Sequence, residues 1–169
     1  PFSPSRGRAK PERLAFLADL EKTSADDALT ALLENNPAGI DLKSFMITWN
    51  LTDEDKEMVL ELVDHVFAGP EAAPVIFSPT HWTSLQNETL ANLQAWHESN
   101  PERASLNTHA LRSFSNIRIP LPVYQDLLDR LAAEKKIMNL GAGYCYPGFE
   151  PTISKKDAAL WNKIKPILI

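Results

Sequence analysis

Two short β-prone segments closed by proline, VIFSP at 75–79 and YCYPG at 144–148, end two stretches of the same design. In each stretch a helical pattern, a short helical pattern and a further helical pattern precede a hairpin. The order recurs after about 70 residues, the mark of a tandem repeat of one module. A chain built this way is committed to small helical units closed by hairpins.

Local signals place the elements. Pro11 suits a first helical position, and Leu14, Leu17 and Leu20 follow at helical spacing. KTSADD interrupts. Ser24 can cap the next helix, with Asp27 three residues on as a weak capping box. That helix carries Leu29, Leu32 and Leu33 and stops at NNPAG. A short helix over DLKSFMITW comes next. Thr52 then caps LTDEDKEMVLELV, with Asp55 completing a capping box and Val59, Leu60, Leu62 and Val63 supplying its apolar side. His65–Ala68 and Val75–Phe77 flank a Gly-Pro loop and read as a hairpin.

Ser78 and Pro79 open the second stretch as an N-cap and first turn. Trp82, Leu85, Thr89, Leu93 and Trp96 make one apolar stripe. A short helix over 107–114 and a loop over 116–120 follow. The next helix, 121–135, turns Val123, Leu127, Leu128 and Leu131 inward. KIMNL and YCYP around GAG form the second hairpin, and Ser154 starts an amphipathic helix with Ala158, Trp161 and Ile164 on one side. The expected class is mainly α with small β-hairpins, an α+β chain. Three helices followed by a hairpin outline a winged helix-turn-helix. The expected division is a basic linker at 1–10, a first winged-helix module at 11–78 with an added N-terminal helical pair, a second at 79–150, and a helix at 151–169 leading into a following module.

Chemistry narrows the function classes. A single cysteine, Cys145, excludes an internal disulfide and suits a reducing, cytoplasmic setting. In a strand between two tyrosines it reads as a small buried filler rather than a reactive thiol. No apolar run approaches the roughly 20 residues of a membrane span. The crowded stretch WHESNPERASLNTHALR holds His97 and His109, but on two helices parted by a proline turn. It reads as an architectural joint rather than a metal site. The sequence contains no H-E-x-x-H, C-x-x-C, G-x-S-x-G or G-x-x-x-x-G-K-[ST] motif. The GAG of GAGYCYPG lies between strands, where a tight turn explains it. No catalytic, cofactor or metal residue is assigned, and the chain is not expected to be an enzyme. It lacks an initial Met and opens in linker-like sequence, so a fragment of something larger is expected.

Nucleic acid is the open question, because winged helices usually read DNA with their third helix. The net charge of -5 argues against a general polyanion binder. The first module's third helix sets Asp53, Glu54, Asp55, Glu57, Glu61 and Asp64 against Lys56 alone. Such a surface repels phosphate. The second module's third helix is balanced, with Asp126, Asp129 and Glu134 against Arg130, Lys135 and Lys136. Better phosphate candidates are Arg6, Arg8, Lys10 and Arg13 at the start and Arg103, Arg112 and Arg118 around the second corner. The alternative for both sets is solvated surface. A DNA-binding winged-helix regulator and a protein-interaction module remain alternatives to a spacer.

The runs RGRAKPERLAFLADL, DALTALLE, LANLQAWHESNPERASLNTHALR, YQDLLDRLAAEKKI and KKDAALWNKIKPIL resemble bacterial selenocysteine-specific translation elongation factors (SelB), over nearly the whole chain. The resemblance implies the first two winged-helix modules of the C-terminal extension. It also implies a role as a tandem winged-helix spacer and interaction segment between the GTPase and tRNA-binding body and the mRNA-hairpin-binding modules in UGA recoding. It further implies, for the parent protein, GTP and Mg as cofactors and the ribosome, selenocysteinyl-tRNA and an mRNA hairpin as partners. The GTPase motifs and the hairpin-gripping module are absent here, so no binding residue carries over. Direct RNA contact by this segment is expected to be weak or absent, and a monomer is expected.

Overall fold

The computed structural model describes residues 10–152, with Leu160 and Ile164 in addition. The chain is mainly helical with small antiparallel sheets, an α+β arrangement. Its contacts divide it into two compact units, one of residues 1–86 and 118–129, the other of 87–117 and 130–169. The helix expected from Ser154 lies outside the described residues.

The first unit begins with α1 (Pro11–Leu20) and α2 (Ala25–Asn35). Pro11 opens α1, where a missing N–H costs nothing. Ser24 caps α2 by accepting the Asp27 N–H at 3.4 Å. Asn35 Nδ2 donates to Asp19 Oδ2 at 2.9 Å and ties the two helices. Then come β1 (Ile40–Asp41), α3 (Leu42–Trp49), α4 (Asp53–Leu62), β2 (Val66–Ala68) and β3 (Val75–Phe77).

β2 and β3 form the expected antiparallel hairpin, Phe67 opposite Ile76. A third strand joins it. β1 pairs with β3, Ile40 opposite Ile76, giving the order β1-β3-β2. The core gathers Leu29, Leu32 and Leu33 from α2, Ile40, Leu42 and Phe45 around β1 and α3, and Val63 and Ile76, with Val59 and Leu60 of α4 half-buried against it. The Leu29, Leu32, Leu33 spacing puts one face of α2 against this core.

One expectation fails here. Leu62 belongs to the expected apolar side of α4, yet it is 72% exposed, and Met58 one turn earlier is 64% exposed. α4 buries only the stripe around Val59 and Leu60, so the opposite flank keeps two large apolar groups in solvent.

The later elements are α5 (Pro79–Ser99), α6 (Thr108–Phe114), α7 (Leu121–Ala133), β4 (Met138–Asn139) and β5 (Tyr144–Cys145). The α5 stripe of Trp82, Leu85, Thr89, Leu93 and Trp96 is buried along its length. In the second unit β4 pairs with β5, Met138 opposite Cys145, and Leu106 makes an isolated antiparallel bridge to Tyr144. α6 starts from Asn107, whose Oδ1 accepts the Ala110 N–H at 2.8 Å. Asn100 N–H donates to the Trp96 carbonyl at 2.9 Å, and Arg103 N–H to the Asn100 carbonyl at 3.0 Å. The stretch 96–112 is therefore a helix end, a turn and a new cap.

Candidate nucleic-acid interface

α4 is the surface on which a nucleic-acid reading stands or falls. Its start is fixed by a reciprocal capping box. Asp55 N–H donates to Thr52 Oγ1 at 3.1 Å, and Thr52 N–H donates to Asp55 Oδ2 at 3.0 Å. The Thr52 hydroxyl, then its backbone N–H, hold the Asp55 carboxyl below the usual carboxylate range, so it stays charged at neutral pH. Asp53, Glu54, Asp55, Glu57, Glu61 and Asp64 are all exposed. The one base of the run, Lys56, is held by Asp53 at 3.2 Å. The outward face of α4 is thus anionic, and its only local cation is engaged. Phosphate binding needs cations that release condensed counterions, and this face offers none.

α7 carries both signs. Asp126 Oδ2 accepts the Gly69 N–H at 2.9 Å, Gln125 Nε2 donates to Asp129 Oδ1 at 3.0 Å, and just beyond its end Lys136 pairs with Glu134 at 2.7 Å. Much of its charge serves local structure.

The basic residues singled out in the sequence are scattered. Arg6 and Arg8 lie outside the described residues. Lys10 is exposed at the cap of α1, and Arg13 lies over the Phe16 ring, 5.1 Å from its centroid. Arg118 is exposed in the loop before α7 and belongs with Lys10 and Arg13 to the first unit. Arg103 is exposed and Arg112 half-buried in the second unit. Five of the seven are therefore placed, and they divide between the two units.

Two features went unread in the sequence. One is His97, which is buried with no hydrogen-bond partner for either ring nitrogen among the described residues. Trp96 meets it edge-on at 5.1 Å, and Phe149 lies against it at 4.0 Å with the rings inclined by 32°. Burial pushes its imidazole below the usual value. Its place in a polar, charged run gave no hint of a buried face. The other is a cavity of about 560 Å³ in the first unit, lined by Leu33, Glu34, Leu62, Val63, Asp64 and His81 among others. Counting Leu62 on the apolar side of α4 conceals it.

Cys145 is buried in β5, and burial raises its thiol above the usual value, as a structural filler requires. Among the described residues no group of three His, Cys, Asp or Glu converges as metal ligands would, and no helix is long and apolar enough to cross a membrane.

Comparison with known proteins bears on the class of molecule. No protein-family model matches the chain. A selenocysteine-specific elongation factor of Escherichia coli (strain K12) is 28% identical over 172 residues, covering 97% of this chain and 26% of that protein. The chain therefore spans about a quarter of that relative's length, in its C-terminal part.

Proposed function

We propose that this chain is the winged-helix spacer of a selenocysteine-specific elongation factor, joining the GTPase and tRNA-binding body to mRNA-hairpin-binding modules. The observation that carries the reading is similarity along 97% of the chain to one such factor. In this reading GTP, Mg, selenocysteinyl-tRNA, the ribosome and the mRNA hairpin are contacts of the larger protein, in the cytoplasm. The segment itself performs no catalysis.

Several details support a duplicated winged helix. The β1-β3-β2 order, with α3 and α4 between β1 and β2, follows the winged-helix plan. The Leu106–Tyr144 bridge stands where β1 stands in the first copy. Asp41 caps α3 and Asn107 caps α6, each accepting the N–H three residues on. Within two residues of its end each short helix reaches an asparagine with φ of 51°, Asn50 and Asn116. The closing bonds match too. Asn50 N–H reaches the Ile47 carbonyl and Leu51 N–H that of Met46, while Asn116 reaches Ser113 and Ile117 reaches Arg112. Ile40 and Leu106, Asp41 and Asn107, and Asn50 and Asn116 are all separated by the same number of positions. Modules at 11–78 and 79–150 follow this element order. A DNA-binding regulator is disfavoured because the third helix of the first copy is anionic.

Two measurements test the proposal. The reading frame containing the chain is expected to encode, upstream, a nucleotide-binding domain with a phosphate-cradling G-x-x-x-x-G-K-[ST] loop. A complete frame without one refutes it. In gel shifts at physiological salt the isolated chain is expected to bind duplex DNA and hairpin RNA only weakly. Submicromolar binding to duplex DNA would favour a transcriptional regulator instead.

A further inference from the structure

The outward flank of α4 and the cavity beside it remain unexplained by a spacer. Met58 and Leu62 stand one helical turn apart, 64% and 72% exposed, a spacing that presents a continuous apolar ridge. Leu62 also lines the cavity of about 560 Å³, whose apolar wall includes Leu33 and Val63. Carboxylates surround this ground. Glu34 and Asp64 line the cavity, and Glu57 and Glu61 are exposed on α4 beside the ridge. None of these four acids forms an ion pair with another described residue. His81 also lines the cavity, its Nδ1 2.9 Å from the Leu33 carbonyl oxygen.

Each simple occupant leaves something unmet. Nucleic acid meets four carboxylates and is repelled. A purely apolar ligand covers Leu62 and Met58 but faces acids that pair with no described residue. A small cation pairs the acids but leaves the ridge in water. A segment with leucine-like side chains one turn apart and lysine or arginine on its flanks satisfies both, and charge complementarity of this kind fixes partner and register. We infer that the α4 ridge and its cavity form a docking groove for a cationic amphipathic helix of a partner protein. The inference rests on the first unit alone and holds whether or not the chain belongs to an elongation factor.

The test uses the full 169-residue chain and a fluorescein-labelled helical peptide of leucine and lysine, with apolar residues at i, i+3, i+4 and i+7. Fluorescence anisotropy is expected to show saturable binding that weakens as salt is raised. Leu62→Ser is expected to weaken it about tenfold, the equivalent of roughly 1.4 kcal/mol. The double variant Glu57→Lys, Glu61→Lys is expected to weaken it by at least as much. The double variant Glu102→Lys, Glu150→Lys makes the same change in net charge elsewhere and is expected to leave it unaltered. All these positions are exposed, so circular dichroism should find the fold intact. Failure of the peptide to bind, equal binding of a leucine–glutamate peptide, or equal loss in the two lysine variants overturns the inference. So does self-association in sedimentation equilibrium that Leu62→Ser abolishes, because the occupant would then be a second copy.

Discussion

Adding one methyl group at Gly143 tests the second sheet. A Cβ there falls 2.6 Å from the Leu106 carbonyl oxygen, 2.7 Å from its carbon and 3.0 Å from the Asn107 nitrogen. All three are backbone atoms and cannot turn aside as a side chain would. Leu106 and Tyr144 must part, and they exchange two bonds, Leu106 N–H to the Tyr144 carbonyl at 3.0 Å and the reverse at 2.9 Å. Each bond is worth about 1 kcal/mol net, and stranding its buried partners adds to the loss, so Gly143→Ala should cost about 2–4 kcal/mol. Gly141 supplies the contrast. Its φ is +79° and nothing lies within 4 Å of a Cβ placed on it. Gly141→Ala should cost only the left-handed strain, about 1 kcal/mol. Native-state hydrogen exchange reads the difference locally, which matters in a chain of two units where a single unfolding transition is not assured. Gly143→Ala should strip protection from the Leu106 and Tyr144 amides, and Gly141→Ala should leave it. Amides that stay protected in Gly143→Ala would show that the bridge does not depend on the close approach of Gly143 to the Leu106 backbone, and would refute the reasoning.

Two further outcomes follow from the same structure. Because burial lowers the His97 pKa, the unfolded chain takes up a proton below about pH 6.5 that the folded chain refuses. Stability contributed by neutral His97 is therefore present above that pH and lost as pH falls below it, by about 1.4 kcal/mol per unit of pKa difference. Thermal melts from pH 7.5 to 5 should show this slope, His97→Phe should flatten it, and an imidazole resonance titrating above pH 6.5 would refute it. Thr52→Ala removes both bonds of the Thr52 hydroxyl, the one accepted from the Asp55 N–H and the one donated to the Asp55 carboxylate, and should destabilise the first unit by about 1 kcal/mol in urea unfolding. An unchanged midpoint would mean that the box does not hold α4.

What the sequence revealed was what local chemistry decides. Ser24 and Thr52 were legible as caps because a hydroxyl that satisfies an open N–H works within three residues, whatever the rest of the chain does. The carboxylate at Ser24 was misread. Asp26, rather than Asp27, is the one whose carboxyl the Ser24 side chain lowers. The α5 stripe was legible because five buried positions at helical spacing admit one face. β1 was not. Two residues cannot show alternation, and Ile40 becomes a strand only because Ile76 lies opposite it. The same holds for Leu106, whose partner Tyr144 is distant in the chain.

The candidate site divides along the same line. The sign of α4 could be counted from its letters, and exposure of all six acids keeps that count valid in the fold. Which apolar residues α4 buries could not be counted. Val59, Leu60, Leu62 and Val63 crowd more than one helical face, and only the core made by α2, α3 and β3 selects Val59, Leu60 and Val63 over Leu62. Leu62 is expected on the apolar side of α4 from its letter alone. The expectation fails because the neighbours that fill the core come from elsewhere in the chain. Leu62, exposed at the rim of the cavity with Glu61 beside it, is apolar surface that a partner of opposite charge can cover.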